Sequence, residues 1–321
     1  MKGKVPATAW QNGNLSLPTP IARAFRSLTG NAYIMLSLTT VLWAMNTVAA
    51  RLAVGNVSPM LLVLFRWLVA CAILIVIARE ALRADWPLLK NHLLFIFVMG
   101  AFGYTGFNAL FYAAGHHTTA INIGILQGSM PVLVLIAGVI MLRENARPIQ
   151  WFGTAVTLVG VALVASGGDF LRLASLTFNI GDIWLLIACV FYSTYTVGLR
   201  KRPAVSALGF FAAMAAAAVI TSIPLAAIEA WQGAALWPTW QGWLLIIFIA
   251  LGPSLLSQLM FMRGVQLIGP LRSGIFINLV PVVGPLFAVL ILGETFAWHH
   301  GVALVLVLGG IWIAERGRHS N

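Results

Sequence analysis

The sequence predicts an all-α integral membrane protein of ten transmembrane helices, arranged as two inverted five-helix repeats. Three observations carry that prediction. Hydrophobic residues make up 60% of the chain and charged residues 8%, at a mean hydropathy of +0.95, whereas about a quarter of a soluble domain is charged. The apolar residues fall into runs of about 20 with no strict alternation, the length of a helix that crosses hydrocarbon rather than of a barrel strand. The first half of the chain also returns about 149 to 150 residues later, as the aligned positions below show.

Taken in order, residues 1–31 carry Lys2, Lys4, Arg23 and Arg26 among Pro6, Pro18 and Pro20 and lack an apolar core, so they read as a disordered cytoplasmic tail rather than a signal peptide. The first repeat, 32–167, holds spans at 32–53, 59–78, 93–113, 119–142 and 149–167. The second, 180–315, holds spans at 181–199, 205–228, 243–263, 272–292 and 298–315. Because no water reaches the bilayer core, every backbone group in these runs must be paired internally, which a helix does by itself. What lies between the spans is too short for a soluble domain, and there is no Walker-type loop. Cys71 and Cys189 fall inside spans as small core residues and form no disulfide framework.

The repeat is explicit in the residues. Leu42-Trp43-Ala44-Met45-Asn46-Thr47-Val48 aligns with Phe191-Tyr192-Ser193-Thr194-Tyr195-Thr196-Val197, and Gly124, Pro131 and Glu144 answer to Gly274, Pro281 and Glu294. Five spans per copy is an odd number, so the second copy enters the membrane upside down. Inverted repeats of this kind place a solute site between the copies near the bilayer midplane. The net charge of +11 fits the same topology. With the N-terminus in the cytoplasm, 16 of the 19 basic residues lie on that side, leaving Arg51 and Arg172 outside and Arg66 within the second span. The positive-inside rule therefore puts both termini in the cytoplasm. The excess of positive charge is accounted for by topology, and no nucleic-acid partner is implied.

Polar residues recur at mirror-related depths. Trp43 matches Tyr192, Asn46 matches Tyr195, Tyr104 matches Ser254, Asn108 matches Gln258, and Gln127 falls beside Ile277 and Asn278. Spacings of three and four put each pair on one helix face. An amide in hydrocarbon is costly unless it is paired or faces a cavity. A single such residue is adequately explained as interhelical glue. A set on spans one, three, four, six, eight and nine predicts a shared polar cavity, although any one member can still be packing. Asn122, close to a span end, reads as a helix cap. Gly100, Gly103 and Gly106, with Gly124 and Gly128, offer small faces for close helix contact. Pro131 and Pro281 read as mid-helix residues, either static kinks or bending points.

Arg66 is the one cation well inside a span, and two readings stand: it snorkels outward to the nearer surface, or it contacts the carboxylate of a substrate. All eight acids lie at span ends or in loops, so no mid-membrane carboxylate is available as a proton relay. His116-His117 and His299-His300 could hold a metal, but adjacent histidines diverge, and interfacial histidine is the simpler account. Trp231, Trp237, Trp240 and Trp243 read as an interfacial aromatic belt.

Leu42-Trp43-Ala44-Met45-Asn46, then Ala49-Ala50-Arg51 and Phe65-Arg66-Trp67-Leu68-Val69-Ala70, resemble the opening of an EamA domain. The closing signature is present twice: Pro131 leads to Leu142-Arg143-Glu144 and a span with Gly153 and Gly160, and Pro281 leads to Leu292-Gly293-Glu294 and a span with Gly309 and Gly310. The chain thus resembles the EamA branch of the drug/metabolite transporter superfamily over residues 32–315. The resemblance implies ten helices in two inverted halves and export of small metabolites or amino acids, with spans one, three, four, six, eight and nine around the cavity. On this reading Trp43, Tyr104, Tyr192 and Tyr195 supply stacking and shape to the substrate, while Asn46, Asn108, Gln127, Ser254, Gln258 and Asn278 supply neutral polar contacts. The expected partners are a small-molecule substrate and the lipid bilayer of a bacterial inner membrane, with homo-oligomerisation left open, no cofactor and no metal. A channel, a lipid scramblase and a membrane-embedded metal enzyme are the alternatives.

Overall fold

The computed structural model describes residues 31–143, 145–169, 179–268, 273 and 276–316. The tail at 1–30, Glu144, the segment holding Arg172, and Gly274 lie outside the described residues. Among those described, the regular structure is helical, with no strand. Ten helices follow one another: α1 Ala32–Leu52, α2 Pro59–Ile77, α3 Arg79–Ala114, α4 Ala120–Leu142, α5 Pro148–Ala165, α6 Ile180–Lys201, α7 Ala207–Trp231, α8 Trp240–Ile268, the shorter α9 Val280–Leu292, and α10 Trp298–Arg316. Each overlaps one of the spans expected from the sequence.

Local chemistry sets the helix ends. Asn31 Oδ1 accepts the amides of Tyr33 and Ile34 at 3.0 and 3.3 Å, and Thr119, Ser206 and Thr239 cap α4, α7 and α8 through amides three residues on. Pro59 and Pro148 occupy first-turn positions, where a missing N–H costs nothing. The C-termini of α4 and α9 end alike, on a left-handed residue: Arg143 with φ 55° and its repeat partner Gly293 with φ 66°. Glycine suits that conformation, and arginine adopts it at a cost of about 1 kcal/mol. Helix α3, at 36 residues, would run about 54 Å at 1.5 Å per residue, against a hydrocarbon core of about 30 Å. Its first part, Arg79–Leu89, is charged and is set off by a 3-10 turn at Lys90–His92, so the crossing begins at Leu93.

The pairings obey the exchange of the two halves. Helix α1 packs on α8 and α9, and correspondingly α6 packs on α3 and α4; α2 pairs with α7, α4 with α9 and α5 with α10. Exchanging each helix with its counterpart five places along reproduces that pattern. Five crossings per half turn the second repeat over. Helices α1, α3, α4, α6, α8 and α9 surround the centre, α2 and α7 close one flank, and α5 and α10 lean together on the other. The exterior is apolar: Val76, Leu94, Ile140 and Val305 are among the large exposed hydrophobics, which belong against lipid tails. Two membrane faces follow. The basic face carries the connections after α2, α4 and α6. The far face carries those after α1, α3 and α7.

Candidate functional site

Two helices depart from α geometry at the same depth. Ala101–Gly106 in α3 and Ala250–Leu256 in α8 are π-helical, and the repeat superposes them. A π turn widens the ladder by one residue, re-aims the side chains beside it and is frequent at functional sites. Here the Ser254 hydroxyl donates to the Ile249 carbonyl five residues back at 2.7 Å. Tyr104 and Ser254 sit within these turns, with Asn108 and Gln258 just beyond them.

Between the halves lies a cavity of about 120 Å³. That is close to the roughly 150 Å³ that admits a benzene molecule in a protein interior, so its natural occupant is small. Its wall includes Trp43, Asn46, Tyr104, Asn108, Gln127, Tyr192, Ser254 and Gln258. Eight of the ten residues expected from the polar stripes are thus gathered on one surface, about half-way along their helices. The other two go elsewhere. Tyr195 is buried behind the wall, its ring 5.7 Å from Tyr104 and 5.5 Å from Tyr192. It packs against Gly103, where a Cβ would run into the Tyr195 ring. Asn278 turns away and donates to Glu315 of α10 at 3.0 Å, because a carboxylate offers its amide a stronger acceptor than any cavity group.

Arg66 does not snorkel. It is 4% exposed and points inward. Its acceptors lie inward, on α3 and α8. Nη1 donates to Asn108 Oδ1 and to the Tyr112 hydroxyl, both at 2.5 Å, while Nε and Nη2 donate to Ser254 Oγ at 3.0 and 2.6 Å. Tyr112 in turn donates to Asn46 Oδ1 at 2.7 Å. The guanidinium carbon lies 5.2 and 5.4 Å from the ring centroids of Trp67 and Tyr112, within cation–π range. Trp67 stacks flat on Tyr104 at 4.6 Å. Sequence reasoning missed Trp67 and Tyr112. A signal for Tyr112 existed: it continues the Tyr104, Asn108 stripe by one more step of four.

Other expectations need correcting. Asn122 is not the cap of α4; Thr119 is, and Asn122 Nδ2 lies 3.3 Å from the buried Asp182 carboxylate, which also accepts from Thr118. Pro281 is not inside a continuous helix but opens α9, and Pro131 follows a 3-10 turn at Gln127–Ser129. Each begins a helical segment, where its lost donor matters least. The histidines have ordinary company: His117 meets Trp184 edge-on at 4.9 Å, and His300 Nδ1 accepts the Ala297 amide at 3.0 Å. Among the described residues no three His, Cys, Asp or Glu side chains gather in a metal-holding group.

Toward the far face, contacts tie the helix ends together. Glu294 accepts the amides of Ala120 and Ile121 at 2.9 and 3.0 Å and lies 3.9 Å from Arg51, whose Nη1 holds the Gly115 carbonyl at 2.6 Å. Below this, Gly124 lets Pro285 come so close that a Cβ would sit 2.6 Å from its ring. Glu229 of α7 similarly accepts from Ser58 Oγ, Met60 N and Leu61 N at the start of α2.

The sequence matches the EamA-like transporter family over residues 30–166 and again over 179–315. The chain belongs to that family. Among similar curated proteins, it is 28% identical over 296 residues to the uncharacterized transporter YyaM of Bacillus subtilis, covering 89% of this chain and 93% of that one. It is 23% identical to the uncharacterized transporter YetK of the same organism, over 88% and 86% of the two chains, and 20% identical to an uncharacterized transporter of Archaeoglobus fulgidus, over 91% and 100%. A solved crystal structure of a protein aligns with a TM-score of 0.61 at 21% identity, over 88% of this chain and 96% of that one, a likeness of fold. The protein is therefore a multi-pass membrane transporter of the EamA family, with its two family domains in tandem.

Proposed function

We propose that this transporter is a bacterial inner-membrane carrier, not an enzyme, that exports a small amphipathic or zwitterionic metabolite by alternating access, with both termini cytoplasmic. The observation that carries this reading is the cavity itself: a small, mostly apolar pocket set with a few polar groups, midway along the helices and walled by both repeats, beyond which Glu294, Arg51 and the Gly124–Pro285 contact tie the helices together at the far face. A channel would need a continuous path, and a scramblase a lipid-exposed groove; a mid-depth pocket with helices packed closely beyond it favours a carrier. Trp43, Tyr104 and Tyr192 would give the substrate shape, and Asn46, Asn108, Gln127 and Gln258 hydrogen bonds. Tyr195 acts behind them, and Asn278 is left out.

In proteoliposome counterflow, Asn46→Leu and Gln258→Leu should each reduce apparent affinity several-fold at unchanged insertion, since a lost hydrogen bond is worth about 0.5–1.5 kcal/mol. Normal transport by both variants removes the site assignment. Orientation follows from the basic residues and is checked in a background without Cys71 and Cys189. An impermeant thiol reagent added outside cells should label Gln232→Cys and spare Arg83→Cys, and the reverse pattern inverts the topology.

The cavity wall carries no carboxylate and no histidine among the described residues. Transport is accordingly expected to follow the substrate's own gradient, as uniport or exchange. Collapsing the proton gradient should leave counterflow intact, and accumulation driven by an imposed pH gradient alone overturns that expectation.

A further inference from the structure

The charge in the cavity wall is unbalanced. Arg66 is a permanent cation, since a guanidinium does not deprotonate in proteins, and it lies in the bilayer interior at 4% exposure. Among the described residues its hydrogen-bond acceptors are all neutral: Asn108, Tyr112 and Ser254. These account for four of its five N–H donors, leaving one on Nη2. Beside it Trp67, 3% exposed and also in the wall, has an indole N–H with no acceptor among the described residues. A buried donor without an acceptor is costly, more so next to a full charge in a medium of low dielectric. The Trp67 N–H is shielded from the cavity, so the Arg66 charge decides: an uncompensated cation on one small wall calls for an occupant that brings a negative charge.

Resting on the carrier reading above, we infer that the substrate is a small organic monoanion: a carboxylate seated against Arg66, with a compact apolar body between the rings of Trp43, Tyr104 and Tyr192. One cation matches one negative charge; a dianion would leave a charge unmatched. An amine would add a second positive charge to the cavity. A zwitterion would satisfy Arg66 but leave its ammonium with only amide oxygens and ring faces. The Ser254 oxygen, held by the π turn and accepting two bonds from the guanidinium, is a positioning group that fixes the fork without neutralising it.

The test is binding to the purified transporter in nanodiscs, read as ligand-dependent thermal unfolding. Flux is less suitable because small acids in their neutral form cross bilayers unaided. Two series of constant body and varying charge are used: phenylacetate, phenylalanine and phenethylamine; and butyrate, 2-aminobutyrate and butylamine. At least one carboxylate should raise the unfolding temperature more than its zwitterionic and cationic partners. Arg66→Gln should weaken that binding by about tenfold or more, as loss of a charge-assisted bond implies. Arg66→Lys should keep the preference for the anion at reduced affinity. If Arg66→Gln does not fold, the wild-type charge series still decides. Equal or stronger stabilisation by an amine or zwitterion, no stabilisation by either carboxylate, or undiminished carboxylate binding to Arg66→Gln would each overturn the inference. Saturable counterflow of a zwitterion with no carboxylate binding would leave the carrier standing and remove only the anion. Carboxylate binding without counterflow of any bound solute would do the reverse.

Discussion

The two halves of this transporter share a backbone plan and differ in chemistry. Helix pairings map onto themselves when the halves are exchanged, and even the π turns of α3 and α8 coincide. The side chains do not. Where α2 carries Arg66, the repeat offset falls on Ala215 or Ala216 of α7; where α1 carries Asn46, α6 carries Tyr195. Two arginines facing one small cavity would repel strongly at low dielectric, so the cavity's cation comes from one half only. At the far face the traffic reverses: Glu229 and Glu294, both from the second half, sit on the amide ends of α2 and α4 of the first. Symmetry belongs to the backbone scaffold, and asymmetry to the side chains that line the cavity and cap the far-face helices.

The largest expected effect that separates the halves is steric. Gly103 and Gly252 are repeat partners in the two π turns. A methyl added at Gly103 meets the base of the Tyr195 ring, whereas one added at Gly252 meets the mobile end of Leu42 at 3.2 Å. Gly103→Ala should destabilise by about 1–3 kcal/mol, as overpacking does. Gly252→Ala should stay within about 0.5 kcal/mol, since Leu42 can rotate and alanine favours helix. Thermal unfolding in detergent compares them directly. Equal losses would mean that the halves are packed alike at this depth and that the contrast is confined to charge.

The far-face contacts give a middle-sized test. Glu229→Ala and Glu294→Ala each leave two helix-end amides without an acceptor and should cost about 1–2 kcal/mol. Arg51→Ala removes only a 3.9 Å, partly exposed ion pair and one bond to a carbonyl, so its cost should stay near 1 kcal/mol or below. If Arg51→Ala proves the most damaging of the three, the cross-half ion pair, rather than the capping of first-half helices, holds the far face together.

Much of this arrangement was legible beforehand. Hydropathy gives the spans, because a helix in lipid must be apolar over its whole crossing, and the repeat offset identified the depth at which eight wall residues meet. The π turns were not legible: a shift of backbone hydrogen bonding from four residues to five leaves no period in the sequence. The sequence leaves two directions open to Arg66, because snorkelling is a property of one helix, whereas the three acceptors that turn it inward come from α3 and α8. Asn278 was misplaced for a similar reason, since its acceptor, Glu315, lies 37 residues away on α10. Tyr195 has the right depth but stands one layer back, a distinction that only the packing of Gly103 makes.

The smallest contrast concerns the loop between α3 and α4. There the first half has His116, and the repeat offset of 150 falls on Gln266. Partial desolvation of a ring that still reaches solvent, then the neighbouring His117 and Arg51, hold the His116 imidazole below its ordinary value, with Glu229 pulling the other way. In the unfolded chain the same imidazole titrates near its usual value of about 6.5. As pH falls through that value, the unfolded state takes up a proton that the folded state still refuses, so folding stability is complete above about 6.5 and declines below it until the folded group also protonates. His116→Gln, which copies the second half, should leave unfolding at pH 7.5 unchanged and make its decline between pH 6.5 and 5 shallower. The effect should be small, because the loop is exposed and salt screens its charges. An identical acid limb in the variant would show that this histidine adds nothing to the difference between the halves.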